Sequence, residues 1–327
     1  DYTYYSTETT QSYKASADGQ AKHRKDKMLN WQWDNTVSYK TLIKEKHRIS
    51  AVLGANMSYY SQNWNSLDVK GFGNDFFSYK AIAGASKKED FGVNSDFWTY
   101  SMASVFLRAG YVYDSRYYVT FTGRYDGSSK FGTNNKWGFF PSVGLGWRIS
   151  EETFLANNKV ITNLKLRGSY GITGNQEIGN YKSLAQLKSK NYIYNDALMQ
   201  GFYETIGNPD LKWERTKQFD LGFDLSLWNR IHLNVDYYSR RTSDLLYDVP
   251  IPSTSGFSTM LSNIGIVSNK GVEIALSGRI VETKDFKLDA TVNISKNKNE
   301  IKELYNDVES ITCLLYTSPS PRDRSVS

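Results

Sequence analysis

Residues 219–237 read FDLGFDLSLWNRIHLNVDY. In the first half, Phe219, Leu221, Phe223, Leu225 and Leu227 alternate with Asp220, Gly222, Asp224 and Ser226. After Trp228-Asn229 the alternation resumes, with Ile231, Leu233, Val235 and Tyr237 against His232, Asn234 and Asp236. Successive side chains of a strand point to opposite faces, so a period of two marks a strand with one apolar and one polar face. Two such runs joined by so short a link predict an antiparallel hairpin.

The same pattern extends in both directions. Leu164 and Leu166 oppose Lys165 and Arg167. Tyr117, Val119, Phe121, Gly123 and Tyr125 face away from Tyr118, Thr120, Thr122 and Arg124. Phe286, Leu288, Ala290, Val292 and Ile294 alternate with Lys287, Asp289, Thr291 and Asn293. Carried through the chain, this reading predicts ten strands, at about 27–40, 47–61, 98–113, 116–126, 139–150, 163–173, 214–227, 230–242, 267–281 and 286–298. Most exceed the roughly five or six residues usual in globular sheets, and several match the about 9 to 11 that a tilted strand needs to cross a bilayer.

The connections alternate as well. They are short after Lys40, at Asp114-Ser115, at Trp228-Asn229 and at Glu282 to Asp285, medium after Ser150, and long after Ser61, Asp126, Thr173 and Thr242. Short turns on one side and long loops on the other are the layout of an outer-membrane barrel. Aromatics gather toward predicted strand ends: Trp31 and Trp33, Tyr59 and Tyr60, Tyr111 and Tyr113, Tyr117 and Tyr118, Trp147, Trp213, Trp228, Tyr237 and Tyr238. Amphipathic rings favour the boundary between hydrocarbon and water, so these positions suggest two girdles. The fold class expected is therefore all-β, an antiparallel up-and-down transmembrane β-barrel.

Composition agrees and excludes other classes. The 327 residues are 39% hydrophobic, 15% aromatic and 23% charged, too patterned for disorder. No apolar run reaches the 18 or so residues of a spanning helix, and the mean hydropathy is −0.55. The net charge of +6 is spread along the chain, whereas a nucleic-acid footprint requires clustering. The single cysteine, Cys313, leaves no partner for an internal disulfide, and His23, His47 and His232 lack metal-site spacing. Asp126-Gly127-Ser128-Ser129 completes neither a phosphate nor a calcium loop, and Gly171, Gly174 and Gly179 form no dinucleotide fingerprint. These, with Phe140-Pro141, Asn263-Ile264-Gly265 and Asn269-Lys270-Gly271, read as turn formers and strand starts. Glu214, or Asp220 with Asp224, could be imagined as general acid and base, yet their spacing fits the polar face of a strand. No catalytic, cofactor or metal site is expected, and no substrate-binding residue is singled out.

Six separated blocks then carry a family resemblance, in order: FLRAGYVYDSRYYVTFTGRYDGSSKFGTNNKWGFFPSVGLGWRISEETF from Phe106, LKLRGSYGITGNQEIGNY from Leu164, NPDLKWERTKQFDLGFDLSLW from Asn208, DYYSRRTSDLLYDVPIPSTSGF from Asp236, SNIGIVSNKGVEI from Ser262 and ATVNISKNKNEI from Ala290. Together they resemble the SusC/RagA family of TonB-dependent outer-membrane transporters over most of residues 98–304, while residues 1–97 match weakly. The resemblance implies a 22-stranded barrel in the Gram-negative outer membrane, closed by an N-terminal plug and importing glycan oligosaccharides or peptides. It further implies a SusD-like surface lipoprotein as lid and the TonB–ExbB–ExbD complex as energy source, contacting a region before the plug. A passive porin and a soluble all-β glycan-binding module are the alternatives, and an outer-membrane hydrolase would need convergent groups that this stretch does not show.

Three further expectations follow. Asp1 opens the chain without a signal peptide, so plug, TonB-contacting segment and the remaining strands are expected outside it. Residues 1–309 are expected to belong to the barrel, and 310–327, ending LLYTSPSPRDRSVS, to be a non-native tail resembling translated sequencing adapter. Arg108, Arg124, Lys165, Arg167, Asp220, Asp224, Glu273, Arg279, Lys287 and Asp289 fall on the polar phase and should line the lumen, with outer-membrane lipid on the other face. The long loops 62–97 and 175–211 carry Tyr, Trp and Asn suited to stacking on sugars or docking a lid.

Overall fold

The computed structural model describes residues 2–5, 19–76, 78–86, 91–156, 158–194 and 197–304. The expected tail at 310–327 lies outside them. Among the described residues fifteen strands run in chain order: β1 (Tyr2–Tyr5), β2 (Gln20–Ile43), β3 (His47–Lys70), β4 (Gly92–Tyr113), β5 (Tyr117–Ser128), β6 (Trp137–Arg148), β7 (Ile161–Asn175), β8 (Gln186–Tyr194), β9 (Ala197–Thr205), β10 (Glu214–Leu227), β11 (Ile231–Ser243), β12 (Leu246–Pro250), β13 (Thr259–Asn263), β14 (Ile266–Glu282) and β15 (Lys287–Glu303). Eleven of them form one open antiparallel sheet in the order β1-β2-β3-β4-β5-β6-β7-β10-β11-β14-β15. The other four make two hairpins, β8–β9 and β12–β13, inside the long connections. All ten expected strands are present, each next to its neighbour in sequence apart from those hairpins.

Strands β2 and β3 have 24 residues each and β4 has 22. They outrun the expected bounds by up to nine residues, because above the apolar zone both faces turn polar: Asn63 and Asn65 on one side, Ser66 and Asp68 on the other. Backbone pairing continues there without any hydrophobic alternation to betray it. The loop expected at 62–97 shrinks accordingly to 71–91, and the stretch 175–211 contains the β8–β9 hairpin.

Three of the short turns share one geometry. Lys46, Arg116 and Arg230 donate their N–H to the carbonyls of Ile43, Tyr113 and Leu227, at 3.3, 2.9 and 2.9 Å. The two residues between are left-handed in each case: Lys44 and Glu45, Asp114 and Ser115, Trp228 and Asn229, with φ from 50° to 57°. Two consecutive positive φ values define a type I′ turn, whose twist matches that of the strands it joins. No glycine supplies them, so the ladders on either side must offset a strain of roughly 1–2 kcal/mol per residue.

Several turn readings need correction. Asp126 to Ser128 are still strand, and Gly127 is there because a Cβ would stand 2.7 Å from the Trp137 ring. Asn269 to Gly271 lie within β14, where a Cβ on Gly271 would meet the Tyr238 hydroxyl at 2.5 Å, whereas Gly265, with φ of 77°, does mark the start of that strand. Pro141 sits inside β6, not at its start; the β6–β7 ladder runs from Ser142 to Arg148 and stops where proline cannot donate. Phe140 fills the gap that opens there, against the bare Cα of Gly174.

The sheet carries little core of its own. On the apolar phase Phe219, Leu221, Leu288 and Val292 are 43%, 45%, 42% and 52% exposed. Buried residues concentrate instead at the long-loop end. Ala21, Val69, Phe72 and Ala85 make one cluster, and Phe131, Phe140, Leu211 and Trp213 another. No described helix is long and apolar enough to cross a membrane.

Candidate functional site

Register assigns every strand residue to a face, and the ten charged residues expected to share one do so. Arg108 pairs with Thr122, Lys165 with Asp224, Glu273 with Asp236, and Arg279 with Asp289, each placing its partner on the same polar wall. Arg167 is the hub. Its Nε donates to Asp224 at 3.1 Å and its Nη2 to Asp236 at 2.6 Å, so one guanidinium links β7, β10 and β11. Asn234 donates to the same Asp224 oxygen at 2.8 Å, while Ser169 and Gln218 donate to Asp220 at 3.1 and 2.7 Å. Gly222 lies beneath the hub, where a Cβ would come within 3.1 Å of the Arg167 Cζ. Arg124 plays a similar part toward the long-loop end, donating to Asp126 and, at 2.7 Å, to Ser104.

Between these groups the wall is hollowed into a cleft of about 320 Å³, floored by Gly144, Gly146 and Gly222 and edged by Tyr118, Lys165, Arg167, Ser169 and Asp220. Lys165 Nζ stands 4.8 Å above the Tyr118 ring, a cation–π contact. On β3 and β4, Tyr60 stacks on Tyr100 at 4.6 Å and Tyr100 on Trp98 at 6.0 Å, with Lys130 Nζ 4.4 Å over the Tyr100 ring. These aromatics face the polar wall. Tyr60, Tyr118 and Tyr238, expected in a girdle beside Tyr59, Tyr117 and Tyr237, belong instead to the polar phase, because adjacent strand residues cannot share a face.

The apolar phase keeps two aromatic groups. Tyr113, Tyr117 and Trp147 stack in series at 6.3 and 6.5 Å near the short turns. Trp31 with Tyr59, and Tyr125 with Trp137, stack at 6.2 and 5.0 Å near the long loops. Trp137 and Trp147 are ten positions apart on β6, about 26 Å along the membrane normal for a rise of ~3.4 Å and a tilt of ~40°. That is the height of the apolar band of outer-membrane barrels, about 25 Å. At the lower girdle Glu152 accepts from the Tyr117 hydroxyl at 2.6 Å and from Trp147 Nε1 at 3.0 Å, and these bonds, with Arg116 nearby, hold its carboxyl below the usual range.

Trp213, also expected in a girdle, is instead the centre of a roof. It is 5% exposed, packs on Phe131 at 4.8 Å and edge-on to Phe140 at 5.3 Å, and donates Nε1–H to the Lys136 carbonyl at 3.1 Å. Gly132 donates to the Leu211 carbonyl, and Asn134 and Asn135 both reach Asp210. Asn263 accepts from the Lys212 N–H at 2.9 Å and donates to the Lys212 and Asp244 carbonyls at 2.7 and 2.9 Å, while Asn208 donates to Leu261. Three sequence blocks far apart in the chain thus meet in one folded cap. Among the described residues no three His, Cys, Asp or Glu side chains gather as a metal site.

A sheet with one lipid-compatible face, one charged face, tight turns below and folded loops above defines an outer-membrane β-barrel wall. A family model described as "TonB dependent receptor-like, beta-barrel" matches residues 1–312, and the chain belongs to that family. It is 37% identical over 291 residues to TonB-dependent receptor P39 of Formosa agariphila, covering 88% of this chain and 27% of the relative. It is 41% identical over 211 residues to TonB-dependent receptor SusC of Bacteroides thetaiotaomicron, covering 62% of this chain and 21% of that protein. Its structure superposes on a chain of the RagAB peptide transporter with a TM-score of 0.81 at 34% identity, covering 89% of this chain and 32% of that one. The chain therefore spans between about a fifth and a third of these relatives. It is part of an outer-membrane receptor of the SusC/RagA type; the apolar phase faces lipid and the polar phase the lumen.

Proposed function

We propose that the protein to which this chain belongs imports an oligomeric nutrient, a glycan oligosaccharide or a peptide, through a 22-stranded barrel closed by a plug. TonB, with ExbB and ExbD, supplies the energy, and a SusD-like surface lipoprotein covers the extracellular mouth. The observation that carries this reading is the luminal wall, which carries an ion-paired and hydrogen-bonded lining around Arg167 and, on the same face toward the long loops of β3 and β4, a Tyr60–Tyr100–Trp98 stack. Such a surface passes hydrated, ring-bearing or amide-bearing chains, and chemistry on them has no converging groups here. We assign residues 1–309 to the barrel and 310–327 to a tail beyond it, on the loss of alternation after Tyr316. The test is uptake of labelled oligosaccharides and peptides by cells whose sole importer is the full-length receptor, with and without an intact TonB system. Uptake should stop without TonB; uptake that continues would identify a passive porin.

A further inference from the structure

The lipid-facing phase is not apolar over its whole height. Above Phe219, Tyr237, Val272 and Ile294, at the long-loop ends of four adjacent strands, that phase carries Arg215 and Lys217 on β10, Arg241 on β11, Lys270 on β14, and Lys296 and Lys298 on β15. All six side chains are exposed. Lys217 lies ten positions above Leu227, or about 26 Å along the normal at ~3.4 Å per residue and ~40° tilt, which is the outer rim of the hydrocarbon. Register also sets cations face to face: Lys217 is directly opposite Arg241, and Lys270 directly opposite Lys298. Like charges in cross-strand contact are destabilising unless an anion lies between them. At this height of the same phase, among the described residues of these strands, the carboxylates are Glu300, which Lys298 and Lys302 engage at 3.6 and 2.7 Å, and Glu303, which the bulge at the top of β15 sets opposite Ile266, in the row of Arg215; neither lies between Lys217 and Arg241.

From this placement we infer that β10, β11, β14 and β15 carry a binding site for phosphate groups of lipid headgroups in the outer leaflet. A phosphate at the rim lies between the facing cations while its acyl chains run down over Phe219, Val272 and Ile294. Both halves of an anionic lipid are thereby matched, the headgroup by charge and the tails by the band below. The ligand is a phosphomonoester lipid and not a free anion, because the cations stand directly above the apolar band on the lipid-facing phase, where an amphiphile gains contact with both and a free anion with the charges alone.

The full-length receptor in neutral detergent is titrated with phosphatidic acid or with phosphatidylcholine, and bound lipid is counted by native mass spectrometry. The variant Lys217→Ser/Arg241→Ser/Lys270→Ser/Lys296→Ser should bind phosphatidic acid several hundredfold more weakly, about fivefold per cation removed. A variant losing the same charge at the short-turn end, Lys46→Ser/Lys159→Ser/Arg230→Ser/Lys284→Ser, should bind as the parent does. Millimolar inorganic phosphate should displace less than half of the bound lipid. Equal binding of phosphatidylcholine, equal loss in both variants, no loss in the first, or full displacement by phosphate would each overturn the proposal. In lipid-free detergent the single variants Lys217→Ser and Lys270→Ser should raise the thermal midpoint, since each relieves one facing pair. A lowered midpoint in both variants would overturn the proposal, since the facing cations would then be satisfied within the protein.

Discussion

Replacing Trp213 by alanine should open the extracellular cap while leaving the transmembrane ladders intact. Trp213 is 5% exposed and touches Phe131 and Phe140 at 4.8 and 5.3 Å. Truncating a buried Trp costs about 3–5 kcal/mol; the two ring contacts account for about 1–3 of this and the bond to the Lys136 carbonyl for about 1. The residues released belong to loops, so the loss falls on local opening and not on the global unfolding of the barrel. Hydrogen exchange reads it directly. The amides of Gly132 and Lys212, which bridge loops through the Leu211 carbonyl and Asn263 Oδ1 at 3.1 and 2.9 Å, should exchange at least about 10²-fold faster, since each 1.4 kcal/mol is tenfold. Amides in the middle of β5 and β6 should not change. Trp213→Phe, which keeps a ring in the cluster and loses the indole N–H, should accelerate the same amides by about tenfold or less. Unchanged exchange at Gly132 and Lys212, or one uniform acceleration through loops and strands alike, would refute the idea that Trp213 holds a separately stable cap.

Two further outcomes are expected. Glu152 is held below its usual pKa by the Tyr117 hydroxyl and Trp147 indole, then by Arg116, so its contribution to the lower turns is present above the unfolded carboxyl value and lost as pH falls through the lower, folded one. Trp147 fluorescence should hold steady down to about pH 4.5 and change below it, and Glu152→Gln should abolish that acid step; a step that survives the substitution has another origin. Gly222→Val should displace Asp236 from Arg167, because the added Cβ would meet the Asp236 carboxylate and stand 3.1 Å from the Arg167 Cζ. The expected loss is about 1–3 kcal/mol, read as a lower urea midpoint in a folded-versus-unfolded gel shift, and a wild-type midpoint would show that the wall has slack at this point.

What the sequence discloses and what it hides divide along a physical line. The strands from Phe219 to Tyr237 are legible because lipid and water lie on opposite sides of one chain, so adjacent residues must differ in polarity. The upper parts of β2 to β4 rise beyond the lipid, and Asn63, Trp64, Asn65 and Ser66 carry no apolar–polar alternation although they pair as regularly as residues below them. Clustered aromatics suggested girdles, yet a doublet such as Tyr117-Tyr118 must split between faces, and the period of two could have assigned each. The cap was hidden for another reason: Phe131, Trp213 and Leu261 are far apart in sequence, and no local spacing encodes their meeting. Turn formers such as Gly127, Gly174 and Gly271 looked like punctuation, whereas each makes room for a neighbouring strand's ring.

The wall owes its order to the same thinness. One layer of backbone separates hydrocarbon from the aqueous lumen, so no core lies beneath the polar face to hold its side chains, and they must hold one another. Arg167 can reach Asp224 and Asp236 together because Gly146 and Gly222 flank it in register and leave the backbone bare on either side. A longer neighbour would press the guanidinium into the lumen and free the two carboxylates to repel each other across β10 and β11. Glycine in these strands is thus a positive requirement of the luminal lining, and the weakening that glycine ordinarily brings to a strand is offset by ladders on both edges. The cleft over Gly144, Gly146 and Gly222 follows from the same absence of side chains, so the arrangement that fixes the ion pairs also leaves space at the wall for whatever passes it.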